Sequence, residues 1–251
     1  MGKDKKRLSD LLFVDIETAG GVADYNELSD TMKSLWMIKA RQISKNKELD
    51  SIAGAELFSQ RAGIYSEFAK VVCISVGYFT FTKSKITGFR CKSFYGDDEA
   101  QILKQFSTLL KQHFDKPNKQ GLCGHNIKEF DIPFLCRRFT IQGIKVPKLL
   151  DISGKKPWQV EHLVDTLVLW RFGDYKNYTS LALLAAVLDV PTPKDDIDGS
   201  DIHEVYWKEE NLKRIVTYCE KDVLTVAKVF LRIKNAKLPE ELIVSSQTEF
   251  A

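Results

Sequence analysis

LLFVDIET (residues 11–18) places two carboxylates inside an apolar run that is typical of a buried strand. Side chains alternate between the two faces of a strand, so Asp15 and Glu17 point to the same face. Two neighbouring anions on an apolar strand repel each other and resist desolvation. A divalent cation removes that conflict, because hard oxygen ligands suit Mg²⁺ or Mn²⁺. The alternative is a strand that ends at Val14, with both acids in a solvated loop.

The composition suits one soluble globular domain with a sizeable core, since 44% of the 251 residues are hydrophobic and 28% are charged. A formal net charge of +3 is compatible with a nucleic-acid partner but does not by itself indicate one. No apolar stretch approaches the roughly 18 residues of a membrane span, and we expect neither a membrane partner nor a secretory signal. The five cysteines are widely spaced without a Cys-x-x-Cys pair, which favours a reducing compartment and a cytoplasmic location.

The order of predicted elements indicates a mixed α/β sheet with flanking helices. After the first strand, residues 26–68 show no strand pattern and predict a helical insertion of two or more helices. We predict a main domain at residues 8–235 and a polar, frayed tail at 238–251. The elements predicted after the insertion are a hairpin (70–82 and 86–94), a helix opened by the acids at 97–99, a strand (121–124), a helix (131–142), a strand (162–169), a helix (181–188) and a long helix (209–234). The acids at 97–99 match the helix dipole, and we assign them no other role.

The segment GHNIKEFDIPFL (residues 124–135) holds a third acid at a predicted helix start. Asp131 stands two residues before a proline, so an N-cap role is the alternative to metal binding. Asn126 fits a turn. Phe130 fits the core, although an aromatic ring beside a nucleic-acid site can stack on a base. For His125 a structural role is favoured, because nothing nearby supplies a zinc set.

A fourth acid lies in the long final helix. Tyr218 and Asp222 are four residues apart and therefore share one helix face. An acid within an apolar stripe needs a cation or hydrogen bonds as partners. The alternative to metal binding is a Tyr–Asp hydrogen bond on a partly solvated face.

Taken together, the Asp-x-Glu, Asn-x-x-x-Phe-Asp and Tyr-x-x-x-Asp segments resemble the three exonuclease motifs of the DEDD superfamily, in its tyrosine-containing subclass. The middle segment is most similar to the proofreading exonuclease domain of family-B DNA polymerases. The resemblance runs from residue 11 to residue 231, and 195–199 resembles a loop of stand-alone relatives. It implies a ribonuclease H-like fold, and with 251 residues we expect a stand-alone form. The insertion is longer than the resemblance explains.

The resemblance implies a 3′-5′ exonuclease that acts on single-stranded nucleic acid, with DNA favoured over RNA, through two Mg²⁺ or Mn²⁺ ions. Tyr218 would orient the attacking water, and Asn126 and Phe130 would hold the 3′-terminal nucleotide. Asp165 is expected to be structural or to support the site from behind. The implied metal ligands are Asp15, Glu17, Asp131 and Asp222.

Three other functions stay open at this point. They are the same chemistry on RNA, a nucleic-acid-binding protein of the same fold without catalysis, and a metal-dependent phosphoesterase acting on small nucleotides. The presence of all four acids and the tyrosine argues against the second. Modest support for a polymeric substrate comes from basic residues near the middle segment in sequence, namely Lys128, Arg137, Arg138 and Arg171.

Overall fold

In the computed structural model, residues 7–192, 197–237, 239 and 241–250 are described. The strands are β1 (Leu11–Gly20), β2 (Ala69–Thr82), β3 (Lys85–Tyr95), β4 (Gly121–Gly124), β5 (Leu163–Asp165) and β6 (Ile243–Ser246). The helices are α1 (Asp30–Ser44), α2 (Ser51–Arg61), α3 (Glu99–His113), α4 (Asp131–Ile141), α5 (Thr166–Arg171), α6 (Leu181–Val187), α7 (Ile202–Trp207) and α8 (Leu212–Ile233). Residues 195 and 196 of the predicted loop, and 238, 240 and 251 of the predicted tail, lie outside the described residues.

The strands form one mixed sheet in the order β5-β4-β1-β2-β3-β6. β1 is antiparallel to β2, which is antiparallel to β3, so the predicted hairpin is confirmed. On the other side β1 is parallel to β4, and β4 is parallel to β5, as the intervening helices predicted. The predicted mixed α/β sheet with flanking helices is therefore confirmed.

The two faces of β1 are buried under different helices. Leu12 and Val14 pack in a cluster with residues of α3 and α4. Phe13 faces the other way and packs against α8, with its ring centroid 5.9 Å from that of Phe230. Because strand side chains alternate, the residues two and four positions after Phe13 also face α8. The acids of β1 therefore lie between the sheet and the final helix.

The predicted helical insertion is confirmed as α1 and α2, with a small core of its own. Trp36 and Phe58 are fully buried, and their rings meet edge to face at 5.1 Å. The Trp36 Nε1 donates to the Gly54 carbonyl at 2.7 Å, which ties the two helices together. A short 3₁₀ turn at Ala62–Ile64 follows α2. The Thr18 hydroxyl donates to the Gly63 carbonyl at 2.7 Å, so the insertion ends against β1.

The strand predicted at 162–169 is shorter than expected. β5 ends at Asp165, and α5 begins at the next residue. The Asp165 carboxylate accepts hydrogen bonds from the backbone N–H groups of Leu167 and Val168, at 2.9 and 3.3 Å. An N-cap of this kind starts a helix in a sequence that otherwise has strand character.

The prediction of a frayed tail is wrong for residues 243–246, which form β6 and pair in parallel with β3. Residues after β6 also form hydrogen bonds with β3. The Thr248 hydroxyl accepts from the Ser93 backbone N–H at 2.8 Å, and the Tyr95 hydroxyl donates to the Glu249 carbonyl at 3.0 Å. The partner strand is remote in sequence, so local polarity could not reveal the pairing.

Glu99 does more than the helix-dipole role that its position at the start of α3 predicted. It is buried and binds the buried Arg138 through both carboxylate oxygens, at 2.8 and 2.5 Å. It also accepts from the Val71 backbone N–H at 2.8 Å. This buried ion pair joins α3, α4 and β2.

Candidate active site

Asp15 and Glu17 lie within β1, which continues to Gly20, so the alternative of a strand ending at Val14 is wrong. Across the sheet their register partners on β2 are Ser75 and Cys73, respectively. Glu17 is only 6% exposed, whereas Asp15 keeps part of its surface open. The two carboxylates thus stand on one face of a central strand, as the alternation predicted.

A thiol from α8 completes a compact group of donor atoms with these two acids. The Cys219 Sγ lies 3.5 Å from Oδ2 of Asp15 and 3.6 Å from its carbonyl oxygen. One potential ligand atom from each of Asp15, Glu17 and Cys219 lies within 4.8 Å of the others. The helix α8 therefore packs against Phe13 at the apolar end of β1 and against Asp15 at its acidic end.

Tyr218 and Asp222 lie on α8, one turn apart, and their side chains are hydrogen-bonded to each other. Both are partly exposed. The Tyr–Asp hydrogen bond that the sequence analysis offered as an alternative is therefore present. The same two side chains also lie near the acids of β1.

The loop after β4 is held by Asp165. Its carboxylate accepts the backbone N–H groups of Asn126 and Lys128, at 3.0 and 3.1 Å. Asn126 adopts a left-handed backbone with φ of 59°, a conformation that asparagine tolerates. Its side-chain oxygen is buried and has no hydrogen-bond partner within the described part of the chain. Asp165 is thus structural. It holds Asn126, whose side-chain oxygen is left available to accept a hydrogen bond.

Asp131 is the first residue of α4, and the N-cap position before it is Phe130, which makes no capping bond through its side chain. The capping interpretation of Asp131 is therefore wrong. Asp131 is 4% exposed, and its carboxyl is hydrogen-bonded to the backbone of Ile16. That contact brings the start of α4 to β1, between the two acids of the first segment.

One cleft of about 820 Å³ is lined by all the residues predicted for the site. They are Asp15, Glu17, Asn126, Phe130, Asp131, Tyr218 and Asp222. The same cleft is lined by Ile64, His125 and Tyr178, which the sequence did not predict as functional. Ile64 comes from the end of the insertion, where no motif marks it. Tyr178 could have been predicted from the sequence, because it belongs to an aromatic-rich stretch between the second and third motifs.

His125 has the structural role that the sequence favoured. Its Nδ1 is 2.9 Å from the Thr166 hydroxyl, and its Nε2 is 2.9 Å from the Thr179 carbonyl. Burial lowers its pKa below the ordinary value of 6.5, so the ring is neutral at physiological pH. It joins the loop after β4 to the start of α5 and to the segment that precedes α6.

The basic residues near the middle segment do not form one cationic surface. Arg138 is buried in the ion pair with Glu99. The Arg171 Nη1 lies 3.3 Å from Glu129 Oε1, and the arginine side chain is largely buried. Arg137 is exposed, and Lys128 is partly exposed. The modest electrostatic support that these residues gave to a polymeric substrate is correspondingly reduced.

The acids of the cleft destabilise one another's charged forms. Burial raises the pKa of Asp15 well above its ordinary value, and Asp131 and Asp222 raise it further. Burial likewise raises the pKa of Glu17, with added repulsion from Asp15 and Asp222. The neighbouring side chains with the largest effects on these two pKa values are carboxyls and thiols.

Asp131 and Tyr218 are shifted in the same direction. Burial raises the pKa of Asp131 to about 7, although the backbone N–H groups of Asp131 itself and Ile16 partly oppose the shift. Burial and the neighbouring Asp222 also raise the pKa of the Tyr218 hydroxyl above its ordinary value of 10. Tyr218 therefore keeps its proton at any physiological pH.

Residues 64–243 match a family model described as a predicted 3′-5′ exonuclease related to the exonuclease domain of PolB. The chain belongs to this family. The match includes the second and third predicted motifs, from Asn126 to Asp131 and from Tyr218 to Asp222. β1 with its two acids, and nearly all of the insertion, precede the matched residues. The resemblance to family-B proofreading exonucleases is thereby confirmed at the level of the family.

A solved structure shows the same fold. The family B DNA polymerase from the hyperthermophilic archaeon Pyrobaculum calidifontis matches with a TM-score of 0.51 and 18% sequence identity. The match covers 88% of this chain but only 24% of the polymerase chain. The likeness confirms the ribonuclease H-like sheet. No match is found among curated proteins. In the described residues, no helix combines the length and apolarity needed to cross a membrane.

Proposed function

We propose that the protein is a metal-dependent exonuclease that removes nucleotides from the 3′ end of single-stranded nucleic acid, with DNA favoured over RNA. The observation that carries the proposal is the convergence of three separate motif segments on one cleft, where burial and repulsion by neighbouring acids raise the pKa values of Asp15 and Glu17. Family membership supports the exonuclease class. The free state of all five cysteines suits a reducing compartment, and we propose a cytoplasmic one.

The donor set fits two hard divalent cations. Asp15, Glu17, Asp131 and Asp222 would hold two Mg²⁺ or Mn²⁺ ions, because carboxylate oxygens are the preferred ligands of both. Bound cations would also remove the repulsion and the desolvation cost that raise the pKa values of Asp15, Glu17 and Asp131. When bound, such a pair activates water and stabilises the attacking and leaving oxygens of a phosphodiester displacement. Cys219 is a soft donor, and burial raises the pKa of its thiol well above the ordinary value, so we do not include it among the ligands.

Tyr218 would orient the attacking water by accepting a hydrogen bond from it at the hydroxyl oxygen, because its own proton is donated to Asp222. Its raised pKa keeps the hydroxyl protonated, so it cannot serve as the general base. The hydrogen bond to Asp222 fixes the direction of its hydroxyl relative to the acidic group. Tyr218 would therefore contribute by positioning the attacking water.

Asn126 and Phe130 would hold the terminal nucleotide. The unpaired side-chain oxygen of Asn126 offers a buried acceptor to a sugar hydroxyl or a base N–H group. Phe130 lines the cleft, where its partly exposed ring can pack against a base. The two bonds from Asp165 to this loop keep its backbone in place before substrate binds.

The test is a degradation assay on matched DNA and RNA oligonucleotides labelled at either end, with Mg²⁺, Mn²⁺ or EDTA. We expect a 3′ label to be released as a mononucleotide, a 5′ label to give a ladder that shortens with time, and DNA to be cut faster. Both reactions should stop in EDTA.

Two acid substitutions identify the site in the same assay. Asp15→Asn and Asp222→Asn should be inactive, whereas Glu67→Gln, a change of an exposed acid away from the cleft, should behave like the wild type. Full activity in both aspartate variants would remove the carboxylate site from the reaction. Binding of oligonucleotides without hydrolysis would favour the non-catalytic alternative, and hydrolysis confined to small phosphodiesters would favour the phosphoesterase.

A further inference from the structure

A loop with three exposed aromatic rings adjoins the cleft. Residues 172–178, here called the aromatic loop, connect the end of α5 to the segment before α6. Within it Phe172 is 87% exposed, Tyr175 is 72% exposed and Tyr178 is 62% exposed. Tyr178 also lines the cleft that contains the four acids. Three exposed rings in seven residues form an unusual concentration of apolar surface, of the kind that marks interaction sites.

Both ends of the aromatic loop are attached to the segment that carries the proposed nucleotide-binding residues. At its start, the Arg171 guanidinium lies 3.3 Å from the Glu129 carboxylate. At its end, the Thr179 carbonyl lies 2.9 Å from the His125 ring. His125 and Glu129 stand on either side of Asn126 in sequence, so the loop borders the place proposed for the terminal nucleotide.

Polar contacts set the conformation of the loop around Phe172 and Tyr175, whereas the Tyr178 ring packs edge to face with His125, with centroids 6.3 Å apart. The Asp174 carboxylate accepts from the Lys176 backbone N–H at 3.0 Å and from the Asn177 side-chain amide at 3.3 Å. The Asp174 N–H donates to the Arg171 carbonyl at 2.8 Å. Phe172 has a left-handed backbone with φ of 46°, which is unfavourable for an aromatic residue. The protein thus holds an outward-facing ring in place at a conformational cost.

We infer that the aromatic loop is a stacking surface for unpaired bases of the strand that leads to the 3′-terminal nucleotide in the cleft. Aromatic rings stack on every base, so such a surface binds single strands without sequence preference. The exposed Lys176 lies between two of the rings in sequence and supplies a cation for a phosphate. Bases in a closed duplex are already stacked on each other and do not reach the loop. The direction of the strand rests on the proposed exonuclease function.

The test is equilibrium binding of labelled 12-nucleotide thymidine and uridine oligonucleotides, measured by fluorescence anisotropy with Ca²⁺ and, in parallel, with EDTA. The double variant Phe172→Ala/Tyr175→Ala should bind both oligonucleotides at least about tenfold more weakly than the wild type. The conservative variant Phe172→Tyr/Tyr175→Phe should retain binding. Trp158→Ala is the matched control, because Trp158 is 64% exposed but does not line the cleft. Melting curves should show that all the variants fold, since the altered rings are exposed.

Salt dependence separates stacking from charge. The aromatic double variant should weaken binding at every salt concentration and leave the slope of log K against log salt unchanged. Lys176→Ala should reduce the magnitude of that slope by about 0.7, the value for one contact to a single-strand phosphate.

Two results would overturn the inference: wild-type affinity in the aromatic double variant, or an equal loss of affinity for a blunt duplex of the same length. Failure of the proposed exonuclease function is a separate result, in which the wild type hydrolyses neither oligonucleotides nor the p-nitrophenyl ester of thymidine 5′-monophosphate. Binding that depends on the rings would still support the stacking surface in that case.

Discussion

The Sγ atom of Cys219 lies 3.5 Å from Oδ2 of Asp15, so a thiol borders the carboxylate at the centre of the proposed metal site. The buried thiol keeps its proton and hydrogen-bonds the aspartate, which lowers the pKa of Asp15 against the larger opposing effect of burial. This contact also fixes α8 against β1. Whether the thiol binds metal or only packs beside it can be decided by substitution.

We expect Cys219→Ser to retain exonuclease activity within about threefold with Mg²⁺, because a hard cation does not need a sulfur ligand. A buried substitution of this size should lower the free energy of unfolding by about 1 kcal/mol. Steady-state rates and urea unfolding measure the two effects. A loss of activity that parallels a loss of Mg²⁺ affinity would show that the thiol, or its hydrogen bond, belongs to the site.

Tyr218→Phe should lower kcat by about 10–100-fold and leave metal affinity unchanged, because the hydroxyl only positions the water. The rate of the wild type should show no dependence on tyrosine ionisation up to pH 10, since burial and Asp222 raise the pKa of Tyr218 above that value. Single-turnover hydrolysis and metal titration by calorimetry are the measurements. Tyr78→Phe alters an exposed tyrosine on β2 and serves as the control. Equal rates in Tyr218→Phe and wild type would remove this residue from the mechanism.

The stability of the metal-free protein should fall as pH rises from about 4 to 7. Burial raises the pKa of Asp131 from 3.8 to about 7, so between these values the folded state binds a proton that the unfolded chain releases. Asp131→Asn lacks this group and should be more stable than the wild type at pH 7.5 in EDTA. A tenfold change in proton affinity is worth about 1.4 kcal/mol, so the gain should reach roughly 2–4 kcal/mol.

Urea unfolding at pH 4.5 and pH 7.5 tests this difference, which should nearly vanish at the lower pH. Asp189→Asn, a change of an exposed acid, should follow the wild type at both. Addition of Mg²⁺ at pH 7.5 should stabilise the wild type more than Asp131→Asn. Equal stability of wild type and Asp131→Asn in EDTA at pH 7.5 would contradict the shifted pKa.

Removing one partner of the buried pair Glu99–Arg138 should be strongly destabilising. Arg138→Ala leaves a buried carboxylate without its cation and should cost about 3–5 kcal/mol of unfolding free energy. The double variant Glu99→Leu/Arg138→Leu should recover much of that loss, because it leaves no buried charge. Urea unfolding of Glu99→Leu, Arg138→Leu and the double variant measures the coupling. The exposed pair Lys148–Asp115 is the control, and its removal should change stability by less than about 1 kcal/mol.

The sequence predicted the sheet because its strands carry strong local signals. Alternation around Asp15 and Glu17 placed both acids on one face, and the hairpin that turns after Thr82 was marked by its apolar runs. β5 was predicted too long, because the capping bond from Asp165 that starts α5 depends on geometry. The tail strand at Ile243–Ser246 was missed, because its partner lies far away in sequence.

The candidate site was predicted residue by residue from three short motifs, and the structure brings those residues to one cleft. Their roles stay predictions. Ile64 could not have been found, because the insertion that delivers it has no motif and meets β1 only after folding. The role of Glu99 was predicted incompletely, because interaction with the helix dipole already explains an acid at a helix start. Its partner Arg138 lies on another helix. The charge of Arg138 in the sequence did not reveal that it is buried in an ion pair, whereas the motifs predicted residues that line one cleft.

The helical insertion bears on how fast the chain can fold. β1 and β2 form adjacent strands although the whole insertion lies between them in sequence. A flexible loop of that length would add an entropic cost of closure to the pairing and slow it. Here Trp36 and Phe58 are close in sequence, so we expect α1 and α2 to associate before β1 and β2 pair. The insertion would then bring the ends of the two strands together as a formed unit, which makes it a candidate nucleus for assembly of the central sheet.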